Sequence, residues 1–167
     1  MIHTPRLTIR PYTPDDLDAL FEILSDVRTM SFWPRPYTRD EAKAWMERSL
    51  KSTDENGFGR WAVILNESGR LIGDCGIVRS EVDGRQVYDL GYILYKDYWG
   101  NGYATEAARA WVRYAFDTLK LDTISVNMPA NHDASRGVAE RLGMKKIGEF
   151  DNARNRGIRT LLYQARP

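Results

Sequence analysis

Apolar and polar positions alternate in several short segments of the chain, and this period of two predicts β-strands. Other segments place apolar residues three and four positions apart, which is the spacing of a helix with one buried face. The predicted strands are RLTIRPY, RWAVIL, RLIGDCGIV, VYDLGYILY, DTISVNM, KKIGEF and IRTLLYQA, in chain order. The predicted helices are TPDDLDALFEIL, TRDEAKAWMERSL, the segment from Ala104 to Leu119, and NHDASRGVAERLG.

Turn and capping residues support these boundaries. Thr13 is placed to cap the first helix with Pro14 at its first position, and Thr38 and Glu41 have the spacing of a capping box. The turns NESG and VDG join three consecutive strands, which predicts an antiparallel meander. The strand–helix–strand unit from Tyr88 to Met128 predicts a right-handed parallel crossover.

The order of elements therefore predicts an α/β (α+β) fold with a mixed, mostly antiparallel sheet and helices on its faces. No repeat, low-complexity tract or linker divides the chain, so residues 1–167 are expected to form a single domain.

Composition narrows the classes of function. Hydrophobic residues make up 43% of the chain and charged residues 28%, and the net charge of +1 gives no field that favours nucleic acid or an anionic membrane. No apolar run is long enough to span a membrane, and the N-terminal residues lack the apolar core of a signal peptide, so a cytoplasmic location is expected. The single cysteine, Cys75, excludes an internal disulfide, and two histidines cannot build a zinc cluster, so no metal is expected.

The stretch DYWGNGYATEA places Gly100 and Gly102 between a strand and the most regular helix pattern in the chain. Glycines at such a turn let a ligand approach the backbone, and the free N–H groups of the helix start favour an anion such as a diphosphate. The P-loop motif does not occur, and Thr105 stands where a dinucleotide fingerprint needs its third glycine. An ordinary turn between a strand and a helix explains the glycines equally well.

Two longer segments resemble the GNAT superfamily of acyl-CoA-dependent N-acyltransferases, and within it the RimJ/RimL-like branch related to ribosomal-protein alanine N-acetyltransferases. They are DLGYILYKDYWGNGYATEAARAWVRYAF and ISVNMPANHDASRGVAERLGM, and the N-terminal TPRLTIRPYTPDDLDAL fits the same branch. The resemblance implies a six- to seven-stranded sheet with a central parallel strand pair and helices on both faces. It also implies transfer of an acetyl group from acetyl-CoA to a primary amine of a small molecule or a protein N-terminus. In this family the final strands can pair between subunits, which makes a homodimer an expectation.

The resemblance also implies which residues hold the cofactor. Trp99 stands where the family signature Q/R-x-x-G-x-G/A has Gln or Arg, and Gly102 and Ala104 stand at its two small positions. Backbone N–H groups of this turn are expected to bind the diphosphate of CoA, and the residues concerned are Trp99, Gly100, Asn101, Gly102, Tyr103, Ala104 and Thr105. Tyr92, Ile93 and Leu94 are expected to pair with the pantetheine arm through their backbones, with an oxyanion donor near Ile93 and a bulge at Gly91 where the strands part.

By resemblance to this branch, Ser135 is the candidate for stabilising the thiolate. The position of the tyrosine acid used by many family members holds Ala139, so that residue is not available here. Asn131 is expected to hold the pantetheine arm, although its residue type fits a helix N-cap equally well. Asp89 is the first candidate for the general base and Glu149 the second, since either carboxylate could accept a proton beside a half-buried cleft. A solvated carboxylate at the edge of a strand is the alternative for Asp89.

The loop SDVRTMSFWPRPY between the first two helices is expected to form a wall of the acceptor site. Phe32, Trp33 and Tyr37 offer aromatic surface there, and Arg28 and Arg35 offer charge, although core packing explains some of the aromatic residues without a ligand. A non-catalytic acyl-CoA-binding or regulatory module with the same fold is the alternative function.

Overall fold

Eight strands form one continuous sheet in the computed structural model, which describes the whole chain from Met1 to Pro167. The strands are β1 (Ile2–His3), β2 (Leu7–Arg10), β3 (Arg60–Leu65), β4 (Leu71–Val82), β5 (Arg85–Leu94), β6 (Ile124–Pro129), β7 (Lys145–Asn152) and β8 (Ile158–Ala165). The helices are α1 (Leu17–Ser25), α2 (Arg39–Asn56), α3 (Tyr103–Asp117) and α4 (Asp133–Arg141). The spatial order is β1-β2-β3-β4-β5-β6-β8-β7, and every pair is antiparallel except β5 with β6.

The mixed sheet predicted from the sequence is confirmed, with one strand more than expected. β1 has only two residues, so it shows no alternation that a pattern could detect. β4 and β5 form a longer hairpin than predicted, and it closes at Asp83 and Gly84, which both have positive φ. That conformation is the tight two-residue turn favoured by Asp-Gly between twisted strands.

Capping sets the start of α2. The backbone N–H of Thr38 donates to the Glu41 carboxylate at 2.8 Å, and the N–H of Glu41 donates to the Thr38 hydroxyl at 3.3 Å. This reciprocal pair is the predicted capping box. The helix ends at Gly57, whose φ of 78° is the left-handed conformation that closes many helices.

The core is divided by the sheet into two layers. The larger layer packs α3 and α4 against one face around the fully buried Trp111, and the smaller layer packs α1 and α2 against the other. Leu90 of β5 belongs to the larger layer and Ile93 to the smaller one, as strand alternation requires. No helix in the chain combines the length and the apolar character needed to cross a membrane.

The parallel strands β5 and β6 part almost at once. Their single register pair joins Asp89 to Ser125, whereas the register of β5 against β4 is unbroken from Val82↔Arg85 to Gly73↔Leu94. The carboxyl end of β5 therefore borders a gap in the middle of the sheet.

The bulge predicted at Gly91 is wrong, because Gly91 pairs in register with Gly76. The presence of glycine at this position is explained by a close contact with Arg60. A Cβ atom built at Gly91 would overlap the guanidinium group of Arg60, which lies directly against this backbone. Glycine at this position leaves room for the close approach of that side chain.

Candidate functional site

Two cavities meet at the gap between β5 and β6. The larger has a volume of about 1460 Å³ and extends along the N-terminus of α3, while the smaller, of about 570 Å³, lies on the α2 side of β5. Both are lined by the same residues at the gap, namely Phe32, Trp33, Tyr92, His132 and Ser135. A molecule in one cavity can therefore reach a molecule in the other only at these side chains.

The turn before α3 has the conformation of an anion cradle. Gly100 and Gly102 have φ values of 77° and 79°, and Gly102 is the N-cap of α3. The first N–H groups of a helix have no partner within the helix and lie at its positive end. Those of Tyr103, Ala104 and Thr105 therefore remain for a ligand in the larger cavity, which these three residues line.

Two residues expected to bind the diphosphate stabilise the turn instead. The N–H of Trp99 donates to the carbonyl oxygen of Lys96 at 3.2 Å, so it is not available to a ligand. The side-chain amide of Asn101 donates to the carbonyl oxygens of Tyr98 and Trp99, and Asn101 lines neither cavity. The cradle therefore begins after Trp99.

The indole of Trp99 is hydrogen-bonded to the last residue of β5. Its Nε1 donates to the carbonyl oxygen of Leu94 at 2.8 Å. The guanidinium of Arg28 lies 5.6 Å from the centre of the indole ring, a cation–π contact, and Arg28 lines neither cavity. The structure therefore does not bring Arg28 to the acceptor side.

Glu106, in the first turn of α3, would repel an anion if its carboxylate faced the cradle. It is instead bound by the hydroxyl of Thr4 at 2.6 Å and by Nε of Arg6 at 2.7 Å. Burial raises the pKa of Glu106, but the hydrogen bonds from Thr4 and Arg6 outweigh it and hold the pKa below its usual value. The negative charge is thus neutralised by the N-terminal segment.

Four arginines that the sequence analysis did not select line the larger cavity, namely Arg6, Arg109, Arg113 and Arg141. Arg109 of α3 and Arg141 of α4 contact each other. Nε of Arg141 donates to the hydroxyl of Thr105 at 3.3 Å, and Nη2 of Arg109 lies 3.5 Å from the carbonyl oxygen of Arg141. Their place in the last turn of α4 and the middle of α3 resembles ordinary surface charge in the sequence. The packing of the two helices brings both guanidinium groups beside the cradle.

The backbone of β5 presents alternate residues to the gap. The N–H of Tyr95 donates to the carbonyl oxygen of Ile72 in β4, so residues two apart, including Ile93, also direct their backbone groups to β4. Tyr92 and Leu94 direct theirs to the gap. The oxyanion donor expected near Ile93 is therefore not the N–H of Ile93 itself, and the N–H of the adjacent Tyr92 is the backbone group that faces the gap.

Ser135 is fixed by hydrogen bonds at the start of α4. Its N–H is 3.4 Å from Nδ1 of His132, the N-cap, and its carbonyl oxygen accepts from the phenol of Tyr92 at 2.8 Å. The Ser135 and Tyr92 hydroxyl oxygens are 3.1 Å apart. Asn131 is not the cap: it precedes the helix, is exposed, and lines the larger cavity.

His132 also anchors the loop above the gap. Its ring stacks on Phe32 with centroids 3.7 Å apart, and the carbonyl oxygen of Phe32 accepts from the side-chain amide of Asn155 at 2.8 Å. Burial lowers the pKa of His132 to about 4, so the imidazole is neutral at physiological pH. The loop is thereby held to both α4 and the turn between β7 and β8.

Asp89 lies where the parallel strands part and lines the smaller cavity. Its carboxylate accepts a hydrogen bond of 3.0 Å from the side-chain amide of Asn127 in β6. Burial raises the pKa of Asp89 to about 6, against the lowering effects of Arg60 and Asn127. A carboxylate with this pKa beside a cavity can exchange a proton near neutral pH.

Glu149 and Arg35 lie outside the site. Glu149 is on the edge strand β7 in ion pairs with Lys146 and Arg159, which hold its pKa below the usual value. Arg35 forms an exposed ion pair with Glu41 at 2.6 Å. Neither residue lines a cavity, so the structure brings together Asp89 and Ser135 but not Glu149.

The smaller cavity contains the aromatic residues expected at an acceptor site and cations that were not expected. Phe32, Trp33 and Tyr37 line it. Three arginines line it as well, namely Arg48 of α2, Arg60 of β3 and Arg154 of the β7–β8 turn. These arginines are far apart in the sequence and share no motif, so only the fold could reveal them.

No group of three His, Cys, Asp or Glu residues lies close enough to hold a metal ion. Cys75 is fully buried in the larger core layer, and burial raises the pKa of its thiol, as is typical of a structural cysteine.

Comparison with known proteins identifies the family. The family model described as Acetyltransferase (GNAT) domain matches residues 6–145. The uncharacterized N-acetyltransferase YnaD of Bacillus subtilis is 31% identical over 150 residues, which cover 89% of this chain and 85% of YnaD. An acetyltransferase structure from Agrobacterium tumefaciens is 29% identical with a TM-score of 0.83, covering 99% of this chain and 94% of the other.

The same fold occurs at low identity in MccE, the microcin C7 self-immunity acetyltransferase, solved in complex with acetyl-CoA and AMP. MccE is 13% identical with a TM-score of 0.82, covering 98% of this chain and 94% of the MccE chain. The family match over most of the chain and the shared fold lead to one conclusion: the chain belongs to the GNAT family and is an acetyl-CoA-dependent acetyltransferase.

Proposed function

We propose that the chain transfers the acetyl group of acetyl-CoA to a primary amine at the junction of the two cavities. One observation carries the proposal. A carboxylate whose pKa is raised to about 6 lines the smaller cavity, while Ser135 lines both cavities at the gap. A base on the acceptor side and a hydroxyl at the point of contact are the groups that amine acylation needs.

The residues present fit CoA in the larger cavity. The free N–H groups at the start of α3, with Arg109 and Arg141 beside them, suit a diphosphate. The backbones of Tyr92 and Leu94 border the gap and suit the amide groups of a pantetheine arm, and Asn131 lies on the opposite side of the same cavity. Acetyl-CoA, when bound, supplies the acetyl group as an activated thioester.

Asp89 accepts the proton that the amine must lose. Amines have pKa values of about 8 for an α-amino group and about 10 for a lysine-like group, so both arrive largely protonated at neutral pH. Above its own pKa of about 6 Asp89 is ionised, and the amide of Asn127 holds the carboxylate in place. The proton passes to Asp89 directly or through one water molecule.

Ser135 holds a hydroxyl at the gap, and Tyr92 positions it. The phenol of Tyr92 donates to the carbonyl oxygen of Ser135 at 2.8 Å, and in the 3.1 Å contact between the two hydroxyls either oxygen can be the donor. The Ser135 hydroxyl can rotate to donate to Tyr92 or to a group in the gap. Burial raises the pKa of the Tyr92 phenol, so it stays protonated at physiological pH. The pair can therefore stabilise a departing thiolate by hydrogen bonding.

The motifs GYILYKDYWGNGYATEA and NHDAS favour the RimJ/RimL-like branch within the family. If the chain has the activity of that branch, its acceptor is a protein N-terminus. A small amine is the alternative, and a screen must include both.

The test is a screen of primary amines and N-terminal peptides with acetyl-CoA, in which free thiol release and acetylated product are measured together. We expect thiol and acetylated amine to appear in equal amounts with at least one acceptor. Tight binding of CoA without transfer to any amine would contradict the proposal and favour a binding module.

A further inference from the structure

The geometry points to an acceptor that carries an anionic group, a carboxylate or a phosphate, in addition to its amine. This inference rests on the proposed amine acetylation and concerns the other end of the same substrate. Three features of the smaller cavity support it: its unpaired cations, an orphaned donor on Arg60, and its size.

The charged side chains lining the smaller cavity are Arg48, Arg60, Arg154 and Asp89. Arg48 and Arg154 are exposed, and neither makes an ion pair with any carboxylate of the chain. Arginine binds carboxylate and phosphate through paired N–H donors. The cavity therefore offers two uncompensated sites for an anion.

Arg60 adds a donor that the protein leaves unused. Its side chain is only 11% exposed and is held by Asp74, which also accepts hydrogen bonds from Tyr12 and Trp45. Nη2 of Arg60 is buried and has no hydrogen-bond partner. An unpaired buried donor is costly, so Arg60 adds to the wall of this cavity a guanidinium group that an acceptor oxygen would satisfy once Nη2 becomes accessible to it.

The charged groups of the smaller cavity suit a molecule that has an amine at one end and an anion at the other. Asp89 lies on β5 at the gap, where the amine must be, whereas Arg48 comes from α2 and Arg154 from the β7–β8 turn. The volume of 570 Å³ is within the range of about 300–1,000 Å³ of small-molecule sites. Cationic amines such as polyamines are disfavoured, because like charges would meet at the arginines.

The first test compares matched amines that differ in one anionic group. The pairs are β-alanine with propylamine, phosphoethanolamine with ethanolamine, and glucosamine 6-phosphate with glucosamine, and spermidine serves as the cationic probe. We expect the anionic member of a pair to have the higher kcat/KM by about tenfold or more, as one charged hydrogen bond supplies. A preference for carboxylate or for phosphate pairs identifies the anion.

Substitution assigns the preference to the arginines. Arg48→Gln and Arg154→Gln are each expected to raise the KM for the preferred anionic amine about tenfold, while the KM for its neutral partner stays within about twofold. Matched controls are Arg39→Gln on the same helix and Arg156→Gln in the same turn, because neither residue lines a cavity.

Binding provides a second readout that needs no turnover. Trp33 and Trp45 line the smaller cavity, so their fluorescence reports occupancy during titration of the CoA-loaded protein with the same probes. Tighter binding of the anionic probes, lost in Arg48→Gln and Arg154→Gln, supports the inference.

Equal or better use of neutral amines or spermidine would overturn it, as would an unchanged preference in both variants. Acetylation of neutral amines alone refutes this inference but leaves the proposed function intact. Binding of anionic probes without any acetyl transfer would support this inference and contradict the proposed function.

Discussion

The side-chain amide of Asn127 in β6 donates a hydrogen bond of 3.0 Å to the carboxylate of Asp89 in β5. Asp89 also forms, with Ser125, the one register pair that joins the two strands. The pair lies where the two strands part, so the candidate base is fixed at the mouth of the gap. A carboxylate in this position combines burial, which raises its pKa, with access to the smaller cavity. The same divergence of strands thus borders both the larger cavity and the candidate base.

Asp89→Asn should remove the acidic limb of the pH–rate profile. In the wild type the carboxyl is protonated below its pKa of about 6 and cannot accept a proton, so kcat/KM should rise through about pH 6. The variant should lose activity on the order of a hundred- to ten-thousand-fold and show no inflection in that range. Steady-state kinetics over pH measure both effects.

Glu149→Gln is the comparison for that experiment, since Glu149 is ion-paired on β7 and lines neither cavity. Its profile should match the wild type. An unchanged acidic limb in Asp89→Asn would show that Asp89 is not the base. A lost acidic limb in Glu149→Gln would assign that role to Glu149.

Asn127→Ala should move the acidic limb to higher pH. The Asn127 amide stabilises the ionised carboxylate and so lowers the pKa of Asp89, and its removal leaves the effect of burial less opposed. The pH–rate profile distinguishes this positioning role from a structural one, because a merely destabilised protein would lose activity without a shift. A shift to lower pH would be inconsistent with the assignment.

Ser135→Ala should slow acetyl transfer more than it weakens CoA binding. The hydroxyl is proposed to stabilise the departing thiolate, so kcat should fall by about tenfold or more while the Kd for CoA changes little. Tyr92→Phe should have a smaller effect in the same direction, since the phenol only positions Ser135. If the Kd for CoA rises and kcat is unchanged, Ser135 is a cofactor contact.

Gly102→Ala should weaken CoA binding beyond its effect on folding. Its φ of 79° is costly for a residue with a Cβ, by about 1–2 kcal/mol. Gly84→Ala is the matched control, because Gly84 has a φ of 71° in the β4–β5 turn and lines neither cavity. Thermal unfolding and calorimetric titration with CoA should show comparable losses of stability in both variants but weaker CoA binding only in Gly102→Ala.

The sequence was most informative where a feature is local. The capping box of Thr38 and Glu41 and the left-handed glycines of the cradle depend on neighbouring residues, and both predictions agree with the structure. Asp89 lies in the segment VYDLGYILY, which the sequence predicts as a strand and which forms part of β5. Its partner Asn127 lies 38 residues further on, and the register of a parallel pair leaves no local signal.

The acceptor side could not be predicted in the same way. In the sequence, Arg28 and Arg35 are indistinguishable from other arginines, but the fold places one on Trp99 and pairs the other with Glu41. Arg48 and Arg154 come from distant elements and meet only around the smaller cavity. The sequence predicted the aromatic residues Phe32, Trp33 and Tyr37 of the smaller cavity, but not the arginines that line the cavity with them.

The central claim is that acetyl transfer to an amine occurs at the junction of the two cavities with Asp89 as base. It is tested most directly by measuring CoA binding and stoichiometric thiol release side by side in the wild type and in Asp89→Asn. We predict equal affinity for CoA in the two proteins, with rapid formation of acetylated amine in the wild type alone. Equal rates of transfer in both proteins, or bound CoA without transfer in the wild type, would contradict the account.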